Sequence, residues 1–479
     1  MPWLPLCVLS CLQQEDVSVE LLACDDGCTD GSAEFLHEVA ALLDEARDVA
    51  SIAAGDKRVR ATAAVDVQAL AAARRRLNPA LQLPSRSLTS TNAAALYIDG
   101  SAAGDATAVA TGAAAAAAAT QSTASAKSPT AADEGERATA ESLPTMSAAE
   151  VVTRCKHCRN RLVVLQSGGR GQGAALNVAY EASVAPLIGE MEADDETPPD
   201  RFKRLISALG AHPEWDGVCS QTALIGHERP GMARYVEWQN ALLSPEAMRD
   251  GRFIELPALR QTGLFRRDAL EKLRLPAVVD GQPAPEVSAG VAAIATAGAA
   301  HLEVYRDLVA WPVDSDFWFR WFELGLVCGK IGAPALYLWR QHAGQHTRTQ
   351  GRCSLDNLRR CKVHFLTRRG GATHGVRRIE VWSTGRTLEG WVDDLRAALA
   401  SDAGAEAATE VRSVEWKPGA PIPPHWRTAV AAALRAPSAG GVCEPCVVRL
   451  FAFGMPRARE KARASVGAGW RDALDWFVA

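Results

Sequence analysis

A strand-like apolar run that ends in an acidic turn and continues into a helix is the pattern that most constrains this chain. Val17 to Ala23 is rich in β-branched and aliphatic residues, which is typical of a buried strand. The polar turn CDDGCTDGS (24–32) follows, with residues that are good helix N-caps, and a helical pattern then runs over 33–50. Because parallel sheets are built from strand–helix units, this segment predicts an α/β fold.

The same order of strand, polar turn and helix returns further along the chain. RLVVLQ (161–166) is typical of a strand, the glycine-rich turn 168–173 follows it, and a helix is expected from Ala174. A last unit begins near 376 with a strand over 378–382 and a helix after it. Ligands in open α/β sheets bind outside the carboxyl ends of the strands. The polar turns are therefore where functional side chains are expected.

Stretches of low complexity separate these units. Alanine, threonine, serine and glycine dominate the chain after residue 51, and we predict a disordered Ala-rich insertion over 99–150. A second low-complexity insertion is predicted over 278–302. The expected organisation is a main domain over 1–366 and a small C-terminal α/β domain over 376–479.

The composition excludes several functional classes. The chain has 479 residues, with 52 Lys+Arg against 56 Asp+Glu and a net charge of −4, which excludes a wholly basic nucleic-acid binder. A hydrophobic fraction of 48% excludes global disorder, and the sequence has no run of about 18 large apolar residues that would predict a membrane span. The 12 cysteines are scattered, which favours reduced thiols and a cytoplasmic location.

Two clusters of carboxylates follow apolar or strand-like runs. Asp25, Asp26 and Asp30 lie in the first polar turn, and EADDE (192–196) follows an apolar run at 184–188. Crowded carboxylates repel one another unless a cation or hydrogen-bond donors share the site, and a divalent metal that holds a diphosphate is one common solution. A solvated surface or helix caps are the alternative for either cluster alone.

A third acidic pair, Asp314 and Asp316, enters a strongly aromatic helix in WPVDSDFWFRW (311–321). A partly dehydrated carboxylate in such a place suits a general base. Capping of the helix N-terminus is the alternative role for these two residues.

Taken together, DDGCTDGS (25–32), RGQGAALNVA (170–179), EADDETPPDRF (192–202) and the late aspartate before an aromatic helix resemble glycosyltransferase family 2. That family has the GT-A fold and transfers a sugar from a nucleotide donor. The resemblance covers 1–50 and 159–366. It implies a mixed α/β sheet flanked by helices, followed by a small Rossmann-like C-terminal domain.

The resemblance also implies a UDP-sugar donor, an acceptor hydroxyl and a divalent cation, Mn²⁺ or Mg²⁺, on the diphosphate. Asp314 would be the catalytic base and Asp195 the metal ligand. Asp26 would bind the uracil, and Asp194 the ribose and sugar side of the donor. The residues expected to bind the nucleotide sugar are Asp25, Asp26, Arg170, Asp194, Arg340 and His342.

A narrower resemblance rests on RYVEWQNALLSPE (234–246), LWRQH (338–342) and the C-terminal unit. These segments look like the beta-1,3-N-acetylglucosaminyltransferase-like proteins, also described as queuosine-tRNA galactosyltransferases. The likeness implies a hexosyltransferase that moves galactose to queuosine in tRNA. Two alternatives stay open, namely transfer to a glycan or lipid acceptor and a catalytically inactive GT-A-like binding protein.

The start of the chain departs from the family pattern. The family begins with a strand and loop of the type VSIILPVHN, whereas this chain begins at Met1-Pro2-Trp3, inside the helix that follows them. The resemblance therefore implies a GT-A sheet that lacks its first strand, with an interior position left vacant or refilled. We expect a misassigned start codon rather than a natural loss.

Two further features concern possible partners. The segment 340–378 holds ten Lys and Arg residues and one acid, Asp356, which suits a polyanion such as the donor diphosphate or tRNA phosphates. An ordinary solvated helix face is the alternative.

Two CxxC pairs, at 155–158 and 443–446, could form a Cys₄ zinc site, although they lie far apart in the sequence.

Overall fold

The computed structural model describes residues 2–53, 93–99, 146–155, 160–226, 230–274, 278–279, 282–283, 303–306, 311–368, 371, 373, 376–401, 409–421, 447–466 and 475–478. The strands in chain order are β1 Ser18–Asp25, β2 Ala93–Asp99, β3 Arg161–Gln166, β4 Leu187–Glu192, β5 Gly217–Cys219, β6 Thr222–Gly226, β7 Gly263–Arg266, β8 Val278–Val279, β9 Gln282–Pro283, β10 Cys328–Lys330, β11 Tyr337–Gln341, β12 Arg378–Ser383, β13 Glu410–Glu415, β14 Val447–Ala452 and β15 Asp475–Val478.

The α-helices in chain order are α1 Leu4–Leu12, α2 Ser32–Ala53, α3 Ala148–Arg154, α4 Gln172–Ala182, α5 Arg201–Ala211, α6 Pro230–Asn240, α7 Pro245–Gly251, α8 Arg267–Leu273, α9 Val313–Glu323, α10 His346–Thr349, α11 Leu355–Thr367, α12 Gly385–Ser401 and α13 Pro456–Val466. Short 3₁₀ turns at Arg260–Thr262 and Gly351–Cys353 connect some of these elements. Within the described residues, no helix is both long and apolar enough to cross a membrane.

The main sheet is mixed and has the order β10-β5-β7-β4-β2-β1-β3. Strands β4, β2, β1 and β3 run parallel, whereas β7 is antiparallel to both β4 and β5. The carboxyl ends of β1, β3 and β4 therefore meet at one edge of the sheet, where the acidic turns begin. The expected α/β fold, a mixed sheet flanked by helices, is confirmed.

An interior position of this sheet is taken by a strand from the alanine-rich region. Ala93–Asp99 forms β2, which lies between β1 and β4 and is parallel to both. Its last residue, Asp99, is in register with Cys24 on one side and Glu192 on the other. Backbone groups of β1 and β4 thereby gain ladder partners.

The sheet buries apolar side chains on both faces. On one face, residues of α1, α2, α3 and α5 pack together, with Leu21 of β1 and Met191 of β4 fully buried beneath them. On the other face, α4, α8 and the aromatic side of α9 form a second cluster around Phe265, whose ring makes edge contacts with Phe317 and Trp321. Burial on both faces explains why consecutive residues of β1, Leu21 and Leu22, are both apolar and buried, one in each cluster.

The C-terminal unit is a separate parallel sheet in the order β13-β12-β14-β15. Its helix α12 packs near α11 of the main domain, and one cluster of buried side chains spans both parts. Phe319 of α9 stacks on Phe365 of α11 with ring centroids 4.6 Å apart, and Ile379 of β12 belongs to the same cluster. The predicted division between 366 and 376 therefore crosses a shared apolar core.

The predicted insertions differ from the structure at their edges. The insertion placed at 99–150 begins at the last residue of β2 and ends inside α3, which starts at Ala148 with a capping box between Ser147 and Glu150. The rest of that stretch, 100–145, lies outside the described residues. Most of 278–302 also lies outside them, except for the short antiparallel pair of β8 and β9.

A buried asparagine joins α1 to the start of β1. Asn160 is 1% exposed, its side-chain nitrogen donates to the carbonyl oxygen of Leu12 at 2.6 Å, and its side-chain oxygen accepts from the amide of Val19 at 2.9 Å. The bond to Val19 satisfies an amide that precedes the β1–β3 ladder, whose first pair is Glu20 with Arg161. Without this side chain the Val19 amide would lose this acceptor, and the Leu12 carbonyl would keep only the longer contact from the Cys155 thiol at 3.4 Å.

We predict that Asn160→Ala lowers the free energy of unfolding by about 1–3 kcal/mol, because the Val19 amide loses its acceptor and the Leu12 carbonyl loses its shorter hydrogen bond. Urea denaturation measures this change. Asn357→Ala is the control, since its side chain bonds the Gly351 carbonyl at an exposed site, and its effect should stay within about 0.5 kcal/mol. Equal effects of the two substitutions would contradict this role of Asn160.

Candidate functional site

A cavity of about 460 Å³ opens at the carboxyl edge of the main sheet. It is lined by the turn after β4, the start of α9, the segment after β11 and the N-terminal residues around Trp3. Four of the predicted site residues line it together: Asp194, Asp195, Asp314 and His342. Residues separated by more than 100 positions in sequence thus meet in one place.

Asp25 and Asp26 organise loops beside this cavity rather than line it. One oxygen of Asp25 accepts from the amides of Gly27 and Cys28 at 3.1 and 2.8 Å, which closes the first acidic turn. The two oxygens of Asp26 accept from the amides of Arg170 and Gly171, each at 2.9 Å, and the hydroxyl of Ser167 also donates to Asp26. Asp26 therefore holds the glycine-rich turn in front of α4.

Arg170 is exposed, and it too lies outside the lining of the cavity. Its guanidinium Nε donates to the carbonyl oxygen of Ser167 at 2.7 Å, so the side chain folds back on its own turn. Gly171 caps α4 with a φ of 94°, a conformation that favours glycine. The expected contact of Asp26 with uracil and the expected binding of the nucleotide sugar by Arg170 stay predictions.

Asp195 points into the protein and is 1% exposed. One carboxylate oxygen accepts from the backbone amide of Arg340 at 2.7 Å, and the other accepts from the hydroxyl of Tyr337 at 2.5 Å. Burial and the neighbouring charge of Asp194 raise the pKa of Asp195 well above its usual value, although these two hydrogen bonds oppose the rise. The carboxylate therefore anchors the acidic turn to β11.

Arg340 and His342 contact the same turn from β11 and the segment after it. The guanidinium of Arg340 donates to the carbonyl oxygen of Asp194 at 2.8 Å and forms an ion pair with Glu196. His342 Nε2 lies 2.7 Å from a carboxylate oxygen of Asp194, and its ring packs on Trp3 with centroids 4.4 Å apart. Asp194 and His342 therefore face the cavity, while Arg340 holds the turn that carries Asp194.

Asp314 is held by a buried arginine that the sequence did not single out. Arg260 is 0% exposed, and its guanidinium contacts one oxygen of Asp314 through two nitrogens, each at 2.9 Å. The other side of the guanidinium pairs with Glu190 of β4, and its carbon lies 5.1 Å from the ring centre of Tyr305. The chain Glu190–Arg260–Asp314 thus connects the middle of the sheet to the cavity.

Asp316, the second acid of the predicted pair, has a structural role. It is fully buried and pairs with Arg320 at 2.6 Å and with Arg306. Burial alone would raise the pKa of Asp316, but the charges of Arg320 and Arg306 outweigh it and hold the pKa below its usual value. Only Asp314 of this pair reaches the cavity.

Sequence reasoning missed several residues of the site. Glu192, named only as the first member of the acidic cluster 192–196, accepts from the side-chain nitrogen of Gln172 at 3.0 Å and from that of Gln261. Arg260, Gln261 and Glu190 carry no motif, although a glutamate inside the apolar strand LIGEME was a signal of a buried charge partner. Trp3 belongs to a helix that was assigned no function.

The structure also bears on the possible metal and polyanion sites. Among the residues with described positions, no three His, Cys, Asp or Glu side chains converge to hold a metal ion. A Mg²⁺ or Mn²⁺ ion on a diphosphate needs only one or two protein ligands besides phosphate oxygens and water. The pair of Asp194 and His342 fits that requirement better than Asp195, whose oxygens already accept protein hydrogen bonds.

The basic segment 340–378 does not form one free basic surface. Among its described cations, Lys362 is 5% exposed and donates to the Ile254 carbonyl. Several of its arginines have carboxylate partners, namely Arg340 with Glu196, Arg359 with Asp394, Arg368 with Glu323 and Arg378 with Glu410.

Of the cysteines in the proposed zinc set, Cys155 contacts the Leu12 carbonyl, and 158, 443 and 446 lie outside the described residues.

The family comparison covers the middle of the chain. Residues 147–274, from α3 to the end of α8, match the family described as "Glycosyl transferase family 2". The matched stretch is less than half of the chain. This match includes the acidic turn after β4 and Arg260, and it leaves out Asp26 and Asp314. No curated protein matches the sequence.

Solved structures similar to this chain are distant. They include S. aureus TarS 1-349 (10% identity, 72% of this chain, 64% of that chain, TM-score 0.33) and its complex with UDP-GlcNAc (11%, 72%, 66%, 0.35). The mannosyltransferase PcManGT from Pyrobaculum calidifontis in complex with GDP-Man and Mn²⁺ shares 13% identity over 88% of this chain and 83% of its own, with a TM-score of 0.28. The chain spans less than two thirds of the two TarS chains. Similarity this low does not establish a shared activity.

We predict that Arg260→Met lowers the free energy of unfolding by about 3–5 kcal/mol, because Glu190 is left buried without its cation. Adding Glu190→Gln to Arg260→Met should recover part of that loss, since the uncompensated charge is then removed. Thermal and urea denaturation of the two single variants and the double variant measure the coupling.

The control is Arg249→Met, whose guanidinium pairs with Asp250 at the surface and should contribute at most about 1 kcal/mol. Additive effects of the Glu190 and Arg260 substitutions would contradict the ion pair.

Proposed function

We propose that this chain is an inverting hexosyltransferase that moves a sugar from a UDP-sugar to an acceptor hydroxyl. The observation that carries the proposal is the position of Asp314. It lines a cavity at the carboxyl edge of the sheet together with Asp194 and His342, and is held by the buried Arg260. An oriented carboxylate in the same cavity as the turn proposed to bind the diphosphate is the arrangement that base-assisted sugar transfer requires.

In the proposed reaction, the acceptor hydroxyl lies against the free oxygen of Asp314. The carboxylate removes the hydroxyl proton while the acceptor oxygen attacks the anomeric carbon, and the bond from that carbon to the diphosphate oxygen breaks, so that UDP leaves with the electron pair. Arg260 contacts the other oxygen of Asp314 and fixes the carboxylate for this step.

Asp194 and His342 are proposed to hold the donor diphosphate together with a divalent cation, Mn²⁺ or Mg²⁺. When bound, such an ion stabilises negative charge on the leaving diphosphate. Asp194 would ligate the cation, and His342, whose Nε2 lies 2.7 Å from the Asp194 carboxylate, would orient it. Asp26 and Arg170 are proposed to contact the uridine through the glycine-rich turn that they form together.

The proposed acceptor is queuosine in tRNA, and the proposed sugar is galactose. The support for both is the resemblance of 234–246 and 338–342 to the queuosine-tRNA galactosyltransferase group. The first of these segments covers α6 and the turn after it, and the second covers most of β11, so both border the site. The paired arginines of 340–378 add little to this support.

We predict that the wild-type protein transfers galactose from UDP-galactose to tRNA that contains queuosine and not to the same tRNA without it. Asp314→Asn should reduce this transfer at least about 100-fold, because the base is lost, and should leave UDP affinity nearly unchanged. Radiolabelled galactose on tRNA and calorimetric titration of UDP measure the two quantities. Loss of UDP binding in this variant would mean that Asp314 is not the base.

Calorimetric titration of UDP with and without Mn²⁺ shows whether Asp194 or Asp195 is the ligand of the cation. We expect Mn²⁺ to increase UDP affinity in the wild type and in Asp195→Asn, whose carboxylate is directed at Tyr337. In Asp194→Asn the UDP affinity with Mn²⁺ should lie within about twofold of the UDP affinity without Mn²⁺, because a direct ligand is lost. If Asp195→Asn loses the effect of Mn²⁺ and Asp194→Asn keeps it, Asp195 is the metal ligand. If the wild type does not bind UDP, the proposed function is contradicted.

A further inference from the structure

A second cavity, of about 180 Å³, adjoins the first at Asp314. Asp314, Leu259, Pro312 and Trp339 line both cavities, so the carboxylate stands at their junction. The donor-side residues Asp194 and His342 line only the larger one. A reaction between two substrates at Asp314 needs a separate space for each, and the two cavities provide them.

The wall of the second cavity is mostly apolar and aromatic. Helix α6 contributes Met232, Tyr235 and Trp238, which are part of the segment singled out at 234–246 or precede it directly. The rings of Tyr235 and Trp238 are 6.2 Å apart and inclined by 30°, and Trp339 stands at 68° to Tyr235 with centroids 6.4 Å apart. These rings offer both faces and edges to a bound group.

The C-terminal unit closes the cavity from the other side. Gly454, Met455 and Pro456, between β14 and α13, line it. Arg459 of α13 donates to the carbonyl oxygens of Phe453 and Gly454 at 3.1 and 2.6 Å, which holds this loop in place. A residue of the last quarter of the chain thereby reaches the neighbourhood of Asp314.

We propose that this second cavity is the acceptor subsite, and that it takes a planar aromatic or heteroaromatic ring of the acceptor between α6 and Met455. The proposal rests on the proposed function for the role of Asp314. Size supports it, because an apolar cavity of about 150 Å³ accommodates a benzene ring, which is close to the volume found here. The C-terminal unit is then part of the active site.

The polar groups around this cavity favour a ring over a sugar. The Glu255 carboxylate accepts from the amide of Leu256, Arg348 donates to the side chain of Gln341, and Arg459 bonds the two carbonyls named above. A sugar buried here would need a partner for each hydroxyl, whereas a flat apolar ring needs only contact area.

Saturation-transfer NMR on the full-length protein tests the subsite with two probes, indole as a planar ring and methyl β-D-galactopyranoside as a sugar ring. We expect indole to bind and the galactoside to bind at least about tenfold more weakly. Trp238→Leu should weaken indole binding about tenfold, because stacking on an aromatic side chain is lost. Met455→Lys should weaken it to a similar degree, since it places a charge in the cavity from a half-buried loop position.

Trp3→Leu is the matched control, because Trp3 lines only the larger cavity. It should weaken UDP binding and leave indole binding unchanged, whereas Trp238→Leu and Met455→Lys should do the reverse. Any of three results would overturn the subsite. These are indole binding that is unchanged in both Trp238→Leu and Met455→Lys, no indole binding by the wild type, and tighter binding of the galactoside than of indole. If UDP still binds in any of those cases, the subsite fails while the proposed function stands.

Discussion

The burial of Asp195 is the interaction on which the site depends. Its carboxylate accepts from the Tyr337 hydroxyl and the Arg340 amide, and backbone bonds between Glu196 and Leu338, at 2.9 and 3.2 Å, run beside it. These contacts attach the turn after β4 to β11, which belongs to a different sheet. A buried carboxylate is costly unless donors surround it. The protein meets that cost where two sheets must be held together, and Asp194 is left to face the cavity as a result.

A second buried charge system supports the opposite wall. Glu190, Arg260 and Asp314 form a line from the strand interior to the cavity, with Arg260 enclosed between two carboxylates and the ring of Tyr305. An arginine with no exposed surface has few rotamers open to it. Asp314 is therefore oriented by a rigid partner, which its proposed role as a base requires. The two systems place Asp194 and Asp314 in the lining of one cavity.

Residues of α1 and of the turn after it form hydrogen bonds with the same acidic turn and the start of α5. The thiol of Cys7 donates to the Glu192 carbonyl, the amide of Thr197 donates to the Ser10 hydroxyl, and the side chain of Gln14 bonds both Pro198 and Phe202. The helix that opens the described chain thus has a function in the site, which apolar spacing alone did not suggest. Trp3 extends this role by packing on His342.

Local pattern was sufficient for much of the fold. The strand, acidic turn and helix at 17–50 and the strand, glycine-rich turn and helix from 161 are present as expected, because period and turn chemistry are local properties. β2 was missed because its alanines lie inside a stretch of low complexity, and its short run of Leu96, Tyr97 and Ile98 was the one local sign of a strand. Tertiary pairing on both sides outweighs that weak propensity.

The sequence by itself determined the α/β class, the edge of the sheet where carboxylates gather, and the presence of Asp194, Asp195 and Asp314 at that edge. Tertiary structure alone decided which of them face the cavity. Neighbouring residues in a turn point in different directions, and Asp195 is turned inward by donors on β11, more than 140 positions away. Three other features are also long-range contacts, which no local pattern encodes. They are the pairing of Asp314 with Arg260, the position of Met455 in the wall of the second cavity, and the pairing of β2 with β1.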